Sequence, residues 1–251
     1  MRSLAENLRA VRARIDAAAR DAGRDPAGVR LLAVSKTWPA DDVRALAALG
    51  LRHFAENRVQ ELTGKAAALA DLPDLRWHLV GQLQRNKAAA VVRLEATVHS
   101  VDRLPLADAL NRAAEREART VDVYVQVDLG GPEGQLGERG GAAPDDVLGL
   151  ADAVAAAPGL RLRGLMAVAP RDQDPAPAFA RLAELARRVR ADHPGARELS
   201  AGMSGDLEAA VAAGATVVRV GTALFGARPL ASGAETAPGP LRPGESHQHR
   251  E

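Results

Sequence analysis

The chain has 251 residues, 47% of them hydrophobic but only 2% aromatic, with 33 basic against 32 acidic side chains and a net charge of +1. That balance argues against a nucleic-acid binder, and the absence of cysteine excludes a disulfide framework, a thiolate nucleophile and thiolate-bound metal. No apolar run of about 18 residues occurs and Met1 to Arg14 mix charges in a helical pattern, so a cytoplasmic protein with no membrane partner is expected.

Residues 3–22 read as an amphipathic helix, with Leu4, Leu8, Val11 and Ile15 at spacings of three and four, ended by Gly23 and Pro26. Strands are then predicted over 31–35, 52–55, 76–80 and 97–101, separated by helical patterns at 40–49, 57–70 and 85–94. A helix at 103–118 leads to a strand at 121–128 and a Gly-rich stretch at 130–141, expected to be a mobile loop on the functional face. Helices at 144–156, 175–192 and 204–213 alternate with strands at 161–168, 197–200 and 216–220. Eight strands separated by helices, in a length close to ~250 residues, favour an α/β fold, a single (β/α)8 TIM barrel over 1–228 with an extra N-terminal helix. An open, doubly wound sheet is the alternative. From residue 229 to 251 apolar periodicity is lost, and a disordered tail is expected. His247 and His249 within it are a weak metal signal, and no metal site is expected.

Thirty of the 33 basic residues are arginine; the three lysines are Lys36, Lys65 and Lys87. Lys36 ends the apolar run Leu31-Leu32-Ala33-Val34-Ser35, at the mouth of the first strand. A lysine there can lose its proton and attack a carbonyl, which arginine cannot do. The competing reading is a strand-ending lysine reaching into solvent. Reactive groups of a parallel barrel lie at the C-terminal ends of the strands. Asn57 follows strand two, His78 lies on strand three, Ser200 ends strand seven, and Arg219 lies on strand eight. Val218 and Val220 flank Arg219; if they pack outward, the guanidinium points into the barrel mouth and needs an acceptor, for which a barrel carboxylate is one candidate. Gly221 and Thr222 follow, where a short helical turn would aim N–H groups at an anion. Ser204 reads either as the N-cap of the helix at 205–213 or as a ligand contact, and Asp206 should point away from a phosphate. A phosphate cup beside a lysine fits a phosphorylated aldehyde held as a Schiff base, pyridoxal 5′-phosphate above all. An arginine facing the pyridine nitrogen would weaken the ring as an electron sink.

These residues sit in longer motifs: Leu32-Ala33-Val34-Ser35-Lys36-Thr37, Phe54-Ala55-Glu56-Asn57-Arg58-Val59-Gln60-Glu61, Trp77-His78-Leu79-Val80-Gly81-Gln82-Leu83-Gln84-Arg85-Asn86-Lys87, Gly164-Leu165-Met166-Ala167, Leu199-Ser200-Ala201-Gly202-Met203-Ser204-Gly205-Asp206 and Val218-Arg219-Val220-Gly221-Thr222. In this order they resemble the pyridoxal phosphate homeostasis protein family, over about residues 4 to 228. The resemblance implies a barrel like the N-terminal domain of alanine racemases, with the cofactor held covalently on Lys36 and a role in vitamin B6 balance without established catalytic turnover. It also implies that Arg219 faces the pyridine nitrogen, that Ser200, Ser204, Gly221 and Thr222 hold the phosphate, and that Asn57 and His78 line the ring pocket. Ala55 stands where the family usually has glycine, Gln82 where proline is common, and the 130–141 stretch lacks a Ser-Lys pair seen in many members.

Three functions fit a lysine-bearing barrel. A carrier would bind pyridoxal phosphate, buffer it and pass it to apo-enzymes, as a monomer without catalytic residues. An amino-acid racemase or decarboxylase would need a second positioned acid or base, and the single tyrosine, Tyr124, lies inside a strand. A class I aldolase-like barrel leaves Arg219 unexplained. The carrier is the expectation.

Overall fold

The computed structural model describes residues 3–130, 140–171 and 173–226. The eight strands are β1 (Arg30–Val34), β2 (His53–Glu56), β3 (Arg76–Leu79), β4 (Thr97–Val101), β5 (Val121–Val127), β6 (Leu160–Ala167), β7 (Glu198–Ser200) and β8 (Val217–Val220). All pairs are parallel and β8 returns to β1, so the sheet closes in the order of the sequence. This is the TIM barrel, and the open doubly wound alternative falls.

Nine helices are described: α1 (Leu4–Asp21), α2 (Ala40–Ala48), α3 (Val59–Ala68), α4 (Ala88–Arg93), α5 (Leu104–Arg116), α6 (Val147–Ala156), α7 (Pro175–Asp192), α8 (Leu207–Ala212) and α9 (Thr222–Phe225). The predicted helices at 85–94 and 144–156 each begin instead with a 3₁₀ turn, Arg85–Lys87 and Pro144–Asp146. α1 starts in a capping box, in which the Ser3 hydroxyl accepts from Glu6 N and the Glu6 carboxylate accepts from Ser3 N. Its buried stripe of Leu8, Val11, Ile15, Ala18 and Ala19 packs against α8 and α9. None of the described helices is long and apolar enough to cross a membrane. The expected disordered tail and most of the Gly-rich stretch lie outside the described residues.

Alternation along the strands sorts two environments. Leu31 and Ala33 of β1, Trp77 and Leu79 of β3, and Val218 and Val220 of β8 join the large core between barrel and helices. Inside the barrel, Leu32, Ala55 and Val217 form a small apolar plug against which Val34 and Val80 pack. The rest of the described lumen is largely polar. Branched aliphatic layers usually fill such barrels; here His78, His99, Tyr124, Gln126, Ser200 and Arg219 are enclosed instead.

Candidate functional site

At the C-terminal ends of the strands a cavity of about 840 Å³ is lined by Lys36, Asn57, Gly81, Gln126, Met166 and Arg219, with Arg58, Arg171 and Asp206 also on its wall. Lys36 sits half-buried one residue beyond Ser35, and its ammonium makes no hydrogen bond or ion pair with the described residues.

The backbone around Lys36 is held from three sides. Ser35 N donates to Ala55 O at 3.0 Å, and the Ser35 hydroxyl donates to Glu56 Oε1 at 2.7 Å. From α3, Lys65 Nζ reaches Ser35 O at 2.6 Å and Glu56 Oε1 at 2.5 Å. Glu61, also on α3, accepts from Thr37 N at 2.9 Å. Thr37 has φ 68°, a left-handed conformation that a β-branched residue adopts only where its surroundings over-determine it. Trp38 then stacks on Phe225 of α9 at 5.6 Å, tying this loop to the end of β8. Glu56 is fully enclosed. Burial pushes its carboxyl above the usual range, and the hydrogen bonds from Lys65 and Ser35 only partly offset this. Its Oε2 is buried with no hydrogen-bond partner.

Asn57 is fixed by the backbone of its neighbour. A Cβ on Gly81 would lie 2.2 Å from Asn57 O, so only glycine allows β2 and β3 to approach this closely at their ends.

Arg219 points into the lumen, as the outward valines require. Its acceptors are not the barrel carboxylate considered from the sequence. Nη1 donates to Ser200 O at 2.6 Å and to Ser200 Oγ at 2.9 Å, and Nη2 donates to Ala167 O at 2.8 Å. Of the five N–H donors of a guanidinium, this leaves Nε–H and one Nη2–H with no acceptor among the described residues. Burial lowers its pKa to about 10, against the opposing fields of Asp206 and Tyr124, and the group stays protonated at neutral pH.

Beneath Arg219 runs a column of rings. Ser200 Oγ lies 3.0 Å from His99 Nδ1, His99 Nε2 3.0 Å from His78 Nδ1, and His78 Nε2 3.0 Å from His53 Nδ1. Tyr124 stacks on His99 at 4.2 Å, and its hydroxyl donates to Glu198. Burial opposes ionisation of Glu198, but hydrogen bonds from Tyr124 and Arg163 outweigh it and hold the carboxyl below its usual range.

Of the residues expected at the site, Lys36, Asn57 and Arg219 share the cavity. Gly221 and Thr222 continue β8 beside it; a Cβ on Gly221 would stand 3.2 Å from Val34 O. Ser200 is enclosed below Arg219, and His78 lies deeper still, in the ring column. The Ser204 hydroxyl accepts from Ala223 N at 3.3 Å and does not cap α8. Asp206 takes the N-cap position and turns towards the cavity wall instead of away, because its carboxylate accepts from Met203 N at 2.6 Å. Sequence reasoning missed Glu56, Glu61 and Lys65 as supports, and His53 and His99 as partners of His78. Inward alternation on β2 and β4 was the available signal for the histidines.

The family described as alanine racemase, N-terminal domain, matches residues 6–229. A pyridoxal phosphate homeostasis protein of Pseudomonas aeruginosa is 49% identical over 231 residues, covering 91% of this chain and 97% of the relative. The chain belongs to the pyridoxal phosphate homeostasis protein family. Among solved structures, PipY of Synechococcus elongatus, with PLP bound, is 39% identical with a TM-score of 0.77, covering 89% of this chain and all of the other. An alanine racemase of Corynebacterium glutamicum shares the fold at 18% identity, TM-score 0.66, over 90% of this chain and 63% of that one. Family membership and the closed barrel thus agree with the reading of the motifs.

Proposed function

We propose that this chain binds pyridoxal 5′-phosphate as a Schiff base through Lys36 and serves vitamin B6 homeostasis in the cytoplasm, holding the cofactor and passing it to apo-enzymes without turnover. The observation that carries this is an unpaired lysine and two spare guanidinium donors facing one cavity, on strands that are neighbours in the barrel. About 840 Å³ is ample room for a ring and a phosphate. The PLP-bound relative supports the same ligand.

The cofactor supplies an electrophilic aldehyde when bound. Lys36 supplies the amine, and the clamp on Ser35 and Thr37 fixes where that amine is presented. Arg219 directs its two spare N–H groups at the ring side, where a permanent cation disfavours protonation of a pyridine nitrogen. Gly221 and Thr222 hold the phosphate, and Ser204, whose oxygen already accepts from Ala223 N, keeps its own proton for it. Asn57 lines the ring pocket. Ser200, with no exposed surface, serves through Arg219.

Absence of turnover is supported by Tyr124. Racemisation needs a second acid or base at the cavity, and the chain's only tyrosine is enclosed, hydrogen-bonded to Glu198 and pushed to higher pKa by burial. The test is the visible spectrum with added pyridoxal phosphate before and after borohydride, with the modified peptide mapped. Wild type should carry a reducible adduct on Lys36, and Lys36→Ala should lose it. An adduct on Lys87, or none, would sink the proposal; racemisation or decarboxylation of amino acids would sink its non-catalytic part.

A further inference from the structure

We infer that His53, His78 and His99 form a hydrogen-bond chain of fixed direction, which commits the Ser200 hydroxyl and so orients Arg219 from the opposite end of the barrel. The column lies within the barrel and keeps its direction whichever ligand the cavity takes.

A neutral imidazole has one N–H and one lone pair, so in a chain of such rings each tautomer dictates the next. The three contacts from Ser200 to His53 are each 3.0 Å and join Nδ1 of one ring to Nε2 of the next. The direction is set at the Ser200 end. Arg219 is a donor only, and its Nη1 already donates to Ser200 Oγ. The hydroxyl proton therefore goes to His99 Nδ1, its remaining partner. His99 must then carry its proton on Nε2 and donate to His78 Nδ1. By the same step His78 donates from Nε2 to His53 Nδ1, and His53 presents Nε2–H at the half-exposed end. The reverse direction would aim two donors at one hydroxyl oxygen and leave the proton of a fully enclosed serine without an acceptor.

The chain works only while His53 is neutral, because an imidazolium would donate from Nδ1 and oppose His78. Burial is the main cause of that neutrality; Arg30 from β1 and Arg76 from β3 add to it by repelling a proton, Glu198 from β7 attracts one, and the balance places His53 at about 4. At neutral pH the direction is therefore locked. His53, His78 and His99 are positioning residues: they fix the Ser200 hydroxyl as acceptor of one guanidinium bond, beside the two carbonyls held by β6 and β7.

The test is side-chain ¹⁵N NMR of the full chain labelled at histidine and arginine, with no ligand added. Neutral-pH spectra should show all three rings as Nε2–H tautomers; His78 or His99 in the Nδ1–H form would overturn the inference outright. In His53→Leu the terminal acceptor is gone, and the Arg219 guanidinium resonances should shift or double. His53→Gln, whose amide oxygen can accept the same proton, should restore the wild-type pattern. Arg219 resonances unmoved in folded His53→Leu would mean that the column does not reach the arginine.

Discussion

Acidification from pH 7 to pH 5 should destabilise this fold, by at most about 4 kcal/mol through His78 and His99. Both rings are enclosed, and burial holds each well below the ordinary histidine range, with repulsion from neighbouring His53, His78, Arg30 and Arg219 adding to it. The unfolded chain protonates them near the ordinary value of ~6.5 while the folded chain does not. A depressed folded value contributes stability above the unfolded value, and that contribution drains away as pH falls from about 6.5 towards the folded value. In that window the unfolded state binds more protons, so stability rises with pH. Integrated over these two pH units, each ring that stays neutral is worth about 2 kcal/mol. His53, displaced to about 4, acts in the same direction; being partly exposed it adds about 1 kcal/mol. Glu56 has the opposite sign: its raised value lets the fold take up a proton first, which trims the loss just above the carboxyl range. Against a total of roughly 5–15 kcal/mol this is a large fraction. Urea unfolding at pH 7, 6 and 5 would measure it, as a falling midpoint with an unchanged m-value. A midpoint that stays level would mean that the rings accept protons in the folded state, and that the column is wet or already charged.

Two further substitutions probe the supports of Lys36 and Asn57. Gly81→Ala sets a Cβ 2.2 Å from Asn57 O, backbone against side chain with no rotamer to relieve it; it should cost about 1–3 kcal/mol and weaken retention of pyridoxal phosphate, read by thermal melting and equilibrium dialysis. Lys65→Met removes the ammonium from an enclosed carboxylate and should cost about 3–5 kcal/mol, most of it recovered in Lys65→Met/Glu56→Gln; if the double variant is no better than the single one, the pair is not the support described.

The fold was legible because its signals are local. Apolar runs of four to eight residues alternating with Ala-rich amphipathic stretches specify strands and helices one at a time, and sequential parallel pairing then follows from their order. Lys36 and Arg219 were legible for the same reason: each stands out against its immediate neighbours, one by residue type and the other by alternation with two valines. What was not legible depends on register between strands and on what helices bring back to them. Lys65 is an unremarkable residue in an Ala-rich helix until α3 lays it against Ser35 and Glu56. Ser204 looks like a cap until the 203–206 turn gives that place to Asp206. The histidines lie on three successive strands, and only the stagger of a closed barrel stacks them into one line.

That stagger also explains why the lumen is polar. A branched aliphatic filling would give a tighter core but would leave Arg219 with no acceptors below it, and an unpaired enclosed guanidinium is costly. The barrel meets the charge with two carbonyls and a hydroxyl, each of which must itself be held. The carbonyls are held by β6 and β7. The hydroxyl is held only by His99, which needs His78, which needs His53, until the series reaches the half-exposed end. One buried cation at the cavity floor thus commits a column of side chains from one end of the barrel to the other. Lys36, half-buried and unpaired, is supported separately by α3 from outside the barrel. Amine and guanidinium thus line one cavity from neighbouring strands, on supports that share no residue, so a change that loosens one support leaves the other in place.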